Sequence, residues 1–214
     1  MKKNNFFIHR IICPPFFSNT YIVGNDIFNE VIIIDNGEAG SSQLLSWLKI
    51  NNKFPIALFL THEHFDHCAG INSLSNIYDF HVITSSKCSE LIKMERGNLS
   101  VYATDFCEPF KIENKVISIT DFQQFRMGEH IFTCIETPGH SPGGLCIQTN
   151  NWLFSGDTIL GTKIPVKLPG SDKQVLNNSL QKLYSFCNPS LIVYPGHGEA
   201  FELNQYIKQS LHSK

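Results

Sequence analysis

An apolar run, Phe54-Pro55-Ile56-Ala57-Leu58-Phe59-Leu60, passes without a break into Thr61-His62-Glu63-His64-Phe65-Asp66-His67. So dense a group of imidazoles and carboxylates is the pattern expected of a metal site. His62 and His64 stand two positions apart, so extended backbone projects them to one side, as two ligands of one ion require. Asp66 and His67 come after a turn and can face a second ion. A fold that serves this run must bring further donors to the end of the same strand.

Three later segments offer them, each a glycine-containing turn after an apolar run. Thr137-Pro138-Gly139-His140-Ser141-Pro142-Gly143-Gly144 presents His140, Phe154-Ser155-Gly156-Asp157-Thr158 presents Asp157, and Tyr194-Pro195-Gly196-His197-Gly198 presents His197. Glycine allows tight turns and lets backbone approach an ion closely.

Hydrophobic periodicity sets these runs in an α/β pattern. Tyr21 to Val23, Val31 to Ile34, Phe54 to Leu60 and Phe80 to Thr84 read as strands, with helices at Leu44 to Leu48, from about Cys68, and around Ser89 to Met94. The second half is richer in strands: His130 to Glu136, Gly144 to Gln148 and Trp152 to Ser155 form a meander. Leu176, Leu180, Leu183, Tyr184 and Cys187 mark one stripe of a helix, Leu191 to Tyr194 is a further strand, and Leu203 to Leu211 sketches a closing helix. Strands and helices in this order suggest two packed sheets with helices outside, and periodicity alone also admits other α/β layers. At 214 residues the chain suits one domain, residues 1–214.

Seventeen basic against nineteen acidic residues give a net charge of −2, which provides no general field for a phosphate backbone or an anionic membrane. A small-molecule substrate is therefore expected as partner, with neither nucleic acid nor membrane. The basic tip Met1-Lys2-Lys3 is followed by an apolar run that His9 and Arg10 interrupt and Pro14-Pro15 ends, so it reads as an opening strand and not as a secretory signal. The seven cysteines include no Cys-x-x-Cys pair. They read as small buried hydrophobes in a reducing cytoplasm, with Cys68 the nearest rival ligand.

Taken in order, His-x-His-x-Asp-His, Pro-Gly-His-Ser-x-Gly, Phe-x-Gly-Asp and Pro-Gly-His-Gly resemble the metal motifs of the metallo-β-lactamase superfamily over about residues 18 to 200. Asn19-Thr20-Tyr21-Ile22-Val23-Gly24 and Ile32-Ile33-Ile34-Asp35-Asn36-Gly37 look like that family's opening strands, with Asp35 in the place of an acid that supports the ligands. The resemblance implies a four-layer αββα sandwich with two metal ions at one rim. It assigns His62, His64 and His140 to the first ion and Asp66, His67 and His197 to the second, with Asp157 as the bridge. Zinc is expected, and iron or manganese would suit the same ligands.

Asp157 stands where antibiotic-hydrolysing members tend to place a cysteine, so the chain looks more like the glyoxalase II-like branch. That likeness implies hydrolysis of a thioester or related ester or lactone by a metal-held hydroxide oriented by Asp66. The seventeen residues after His197 are too few for the helical domain that grips glutathione there. Two alternatives share the fold: a persulfide dioxygenase-like enzyme with one iron, and a non-catalytic metal-binding member. Specificity is expected from loops Glu95 to Phe110 and Gly161 to Lys173. The second holds Lys163, Lys167 and Lys173, read either as a solvated loop or as an anchor for a carboxylate or phosphate.

Overall fold

The computed structural model of the chain describes residues 6–127 and 130–204. The first half contains strands β1 (Phe6–Cys13), β2 (Ser18–Asn25), β3 (Glu30–Ile34), β4 (Phe54–Phe59), β5 (His81–Ser85) and β6 (Val116–Ile119). Its helices are α1 (Ser42–Ile50), α2 (Phe65–Cys68), α3 (Ile71–Ser75) and α4 (Ser86–Leu91), with a 3-10 turn at Ser100–Tyr102. The second half holds β7 (Gln124–Met127), β8 (His130–Glu136), β9 (Leu145–Thr149), β10 (Trp152–Gly156), α5 (Lys173–Phe186), β11 (Ile192–Pro195) and β12 (Phe201–Glu202).

The strands form two six-stranded sheets, ordered β1-β2-β3-β4-β5-β6 and β12-β11-β10-β9-β8-β7. β1 to β3 pair antiparallel and β3 to β6 parallel. In the second sheet β7 to β10 form the expected meander, after which α5 returns the chain so that β11 lies parallel to β10.

Strand alternation explains the layers, because successive side chains leave opposite faces. On β2 and β3, Tyr21, Val23, Ile32 and Ile34 point to the seam between the sheets, where they meet Phe132, Cys134, Leu145, Ile147 and Phe154. Their neighbours Ile22, Val31 and Ile33 point the other way, under Leu44 and Leu48 of α1 and Leu74 of α3. On the far side, Cys146, Leu153 and Val193 pack beneath Leu183 of α5. Strands covered on both faces are apolar throughout, which is why Val31 to Ile34 reads as an unbroken run. The result is the expected α, β, β, α order of layers.

Several boundaries differ from the sequence reading. β4 stops at Phe59, so His62 and His64 lie in irregular chain beyond the strand. α4 starts at Ser86 because the Ser85 hydroxyl accepts from the Cys88 N–H at 3.1 Å, which caps the helix three residues before its expected start. β6, β7 and β12 were not anticipated. The loop from Glu95 to Phe110 is irregular as expected yet tied down: buried Asn98 donates from Nδ2 to Phe110 O at 2.7 Å and accepts at Oδ1 from Ser100 N–H at 2.9 Å. The closing helix expected over Leu203 to Leu211 lies for the most part outside the described residues. No helix among those described is long and apolar enough to cross a membrane.

Phe132 is fully buried in the seam and stacks on Phe59 at 5.7 Å with an interplanar angle of 18°. Phe132→Ala should therefore cost about 3–5 kcal/mol in chemical denaturation. Ile131→Thr, at the exposed neighbouring position, should change stability by less than about 0.5 kcal/mol.

Candidate metal centre

The carboxyl ends of β3, β4, β8, β10 and β11 meet at one rim, and every ligand-type residue singled out in the sequence sits there. His62 and His64 follow β4, Asp66 and His67 lie on the single turn α2, His140 sits between β8 and β9, and Asp157 and His197 follow β10 and β11. Because β10 and β11 are parallel, their ends share an edge. Thr61 O accepts from the Leu145 N–H at 2.7 Å, which ties the two sheets together beside the site.

Three groups of donor atoms have all members within 4.8 Å of one another: His62, His64 and His140; His62, His67 and Asp157; and Asp66, His67 and His197. The first and third match the two sets that the resemblance implies. Asp157 stands between them, with Oδ2 3.5 Å from His140 Nε2 and 3.6 Å from His197 Nε2, and Oδ1 3.7 Å from His67 Nε2.

These spacings suit a shared ion. Two nitrogens bound to one tetrahedral zinc at about 2.0–2.1 Å stand about 3.3–3.4 Å apart. His140 Nε2 lies 3.1 Å from His64 Nδ1, His67 Nε2 lies 3.3 Å from His197 Nε2, and His197 Nε2 lies 3.3 Å from Asp66 Oδ2. His62 Nε2 and Asp157 Oδ1 are buried with no hydrogen-bond partner. Buried polar atoms are seldom left unpaired, so the donor set fits divalent ions.

Three imidazoles have their outer nitrogens anchored. Asp35 accepts from the Thr61 N–H at 2.7 Å and from the Thr61 hydroxyl at 2.8 Å. Its Oδ2 also lies 2.9 Å from His67 Nδ1, and a carboxylate only accepts, so Nδ1 carries the proton and Nε2 faces the site. With its hydroxyl proton committed to Asp35, Thr61 Oγ1 accepts from His62 Nδ1 at 3.0 Å. Pro165 O likewise accepts from His140 Nδ1 at 2.8 Å. Asp35 was legible in the sequence; Thr61 and the Pro165 carbonyl were not recognised there, although Thr61 opens the histidine run itself.

Electrostatics agree with this arrangement. Burial pushes His62 well below the ordinary imidazole value and His64 down to about 3, so both are neutral and able to ligate. Burial opposes charge on His67 too, but Asp66, Asp35 and Asp157 outweigh it and raise the imidazole above its ordinary range. A dication at this place would displace that proton, since ligation needs a free Nε2 lone pair. Burial also raises Glu63, between the two first histidines, to about 7; its Oε2 accepts from the Ser141 hydroxyl at 3.2 Å.

The His197 turn is held by the opposite sheet. Asn19 donates from Nδ2 to Pro195 O and Gly198 O, both at 2.9 Å, Tyr21 donates its hydroxyl to Pro195 O at 2.7 Å, and Arg10 Nη1 donates to Gly198 O at 2.7 Å. A Cβ on Gly196 would collide with Asp157 Oδ1 and His67 Cε1, so glycine is required for this close approach. Cys68 is fully buried, its Sγ donates to Glu63 O at 3.3 Å, and it enters none of the donor groups among the described residues.

Sequence comparison agrees with the geometry: the family described as the metallo-beta-lactamase superfamily matches residues 13–197. The chain belongs to this superfamily. Among its superfamily relatives, the probable polyketide biosynthesis zinc-dependent hydrolase PksB of Bacillus subtilis (strain 168) is 28% identical over 180 residues, 83% of this chain and 71% of that protein. The atrochrysone carboxyl ACP thioesterase of Aspergillus fumigatus is 30% identical over 204 residues, 92% of this chain but 56% of that protein. The crystal structure of BLEG-1, a B3 metallo-beta-lactamase, superposes with a TM-score of 0.86 at 27% identity, covering 94% of this chain and 97% of that one.

Asp35→Asn should leave the fold intact and lower metal affinity about 10- to 100-fold, most at the Asp66, His67 and His197 set, because an amide nitrogen facing His67 Nδ1 shifts the imidazole proton to Nε2. Metal titration followed by calorimetry reads this directly. Cys68→Ser, assayed anaerobically, should retain the full metal content.

Proposed function

We propose that this superfamily member is a dinuclear metal-dependent hydrolase of thioesters. The observation that carries the reading is the position of Asp157, whose two oxygens face both donor sets, as a bridging carboxylate would. His62, His64 and His140 would hold the first ion and Asp66, His67 and His197 the second, with Asp157 placed to serve both. Zinc is the proposed metal, in keeping with the PksB relative, which is named a probable zinc-dependent hydrolase. The thioester preference draws on the Aspergillus relative, which is named a thioesterase, and on the likeness to the glyoxalase II-like branch.

Bound divalent ions would supply an activated water, acidified from a pKa of about 15.7 to about 7, and an electrophile for the carbonyl oxygen. The chain's own groups do the positioning. Asp66 Oδ2 faces His197, which leaves Oδ1 to accept a hydrogen bond from the attacking water and aim its lone pair. Burial lowers His140, so its imidazole stays neutral at the carbonyl side. The oxygen of one water forms the new C–O bond and the C–S bond breaks; one of the water's protons goes to the leaving sulfur and the other is released, so the products are a carboxylate, a thiol and a proton.

A second reading, β-lactam hydrolysis, is favoured by the likeness to BLEG-1. Turnover of thioesters, esters, lactones, β-lactams and glutathione persulfide by metal-replete protein, with oxygen uptake followed, separates these activities. The expected result is about two ions per chain and thioester cleavage without oxygen consumption. Replacement of His62 and His64 together by alanine should remove one ion and reduce kcat/KM at least about 10³-fold. Asp157→Asn should loosen metal at one set and lower turnover steeply. Two tightly held ions with full turnover in Asp157→Asn would exclude the bridge.

A further inference from the structure

The segment from Lys163 to Leu168 leaves the site and runs beside α5. Together they line a groove of about 900 Å³, within the size range of sites that hold extended small molecules. Its floor is apolar: Ile164 and Leu176 are buried, Val166 and Leu180 half-buried, and Leu168 is 38% exposed. Lys163, Lys167 and Lys173 line it, and among the described residues no acidic side chain does. Among the described residues none of the three lysines has an ion-pair partner, whereas Lys87 and Lys182 do. Asn177, exposed on α5, adds an amide to the same wall.

This groove is coupled to the metal centre through Pro165, whose carbonyl accepts from His140 Nδ1 at 2.8 Å. Lys163 and Lys167 each lie two residues from Pro165, at most about 7 Å along extended chain. A molecule with its reacting carbonyl beside His140 can therefore lay its next atoms over the apolar floor and set an anion against the lysines. In a chain of net charge −2, this local excess of three positive charges is a specific feature and not part of a general field.

From this geometry we infer that the groove between Lys163–Leu168 and α5 binds the phosphate-bearing thiol arm of an acyl thioester, 4′-phosphopantetheine. The inference rests on the thioester reading above. The arm has a dimethyl-substituted apolar stretch for the floor, amides for Asn177, and a phosphate for Lys163, Lys167 and Lys173. The sulfur end then reaches the rim where the C–S bond breaks. Glutathione has no phosphate and two carboxylates set far apart, and matches this arrangement less well.

Calorimetry with 4′-phosphopantetheine and with pantetheine tests the groove without turnover, since both carry the same thiol and differ only in the phosphate. The phosphorylated arm should bind metal-loaded protein at least about tenfold more tightly, and K163E/K167E should abolish that difference. In steady state, an acyl group on coenzyme A should show a KM at least about tenfold below the same acyl group on pantetheine, with similar kcat. Equal affinity for the two arms, or a preference that survives K163E/K167E, overturns the inference. Lack of thioester cleavage with the phosphate preference intact would instead remove the hydrolytic reading and keep the groove. Coenzyme A and carrier-protein thioesters, compared at equal concentration, then show which bearer of the arm is preferred.

Discussion

The seam of apolar side chains between the two sheets is the constraint on which the rest depends. Tyr21, Ile32, Ile34 and Phe59 from one sheet and Phe132, Ile147 and Phe154 from the other leave no room for a shift of one residue in register. Such a shift would turn every one of these side chains to the opposite face. With register held, the ends of β3, β4, β8, β10 and β11 are brought to one rim, and seven donor residues scattered over 136 positions of chain, from His62 to His197 counted inclusively, become neighbours.

At that rim, rigidity is bought by a few buried polar contacts. Asp35 uses both oxygens, on Thr61 and His67, and Thr61 passes the constraint on to His62. Asp35 occupies left-handed backbone, φ 58°, a conformation that aspartate tolerates better than most residues. On the other side, Asn19, Tyr21 and Arg10 reach across from the first sheet to hold the turn that carries His197. Neither sheet alone could form the centre: one contributes His62, His64, Asp66 and His67, the other His140, Asp157 and His197.

The lysine-edged groove lies outside this rigid frame. Its loop is attached at Pro165, and its far wall is α5, whose first turn is capped by Asp172 accepting from Gln174 N–H at 2.8 Å and Val175 N–H at 3.0 Å. The rim is fixed by these buried contacts, whereas the loop that edges the groove meets it through the Pro165 carbonyl.

From the sequence came the candidate donor residues, two packed sheets with helices outside and most strands, because ligand chemistry and hydrophobic period are local properties that survive without coordinates; the four-layer αββα order came from the family resemblance. Weakly patterned strands were lost: Gln124-Phe125-Arg126-Met127 forms an edge strand with two polar side chains facing outward, and Val116 to Ile119 has Ser118 exposed in its middle. The helix start at Ser86 was missed because a serine cap competes with several neighbouring serines for the same role. Only the tertiary structure placed Thr61 between Asp35 and His62 and aimed the Pro165 carbonyl at His140. Those facts depend on distances between segments far apart in the chain, and such distances are decided by how two sheets pack, not by the order of residues within either one.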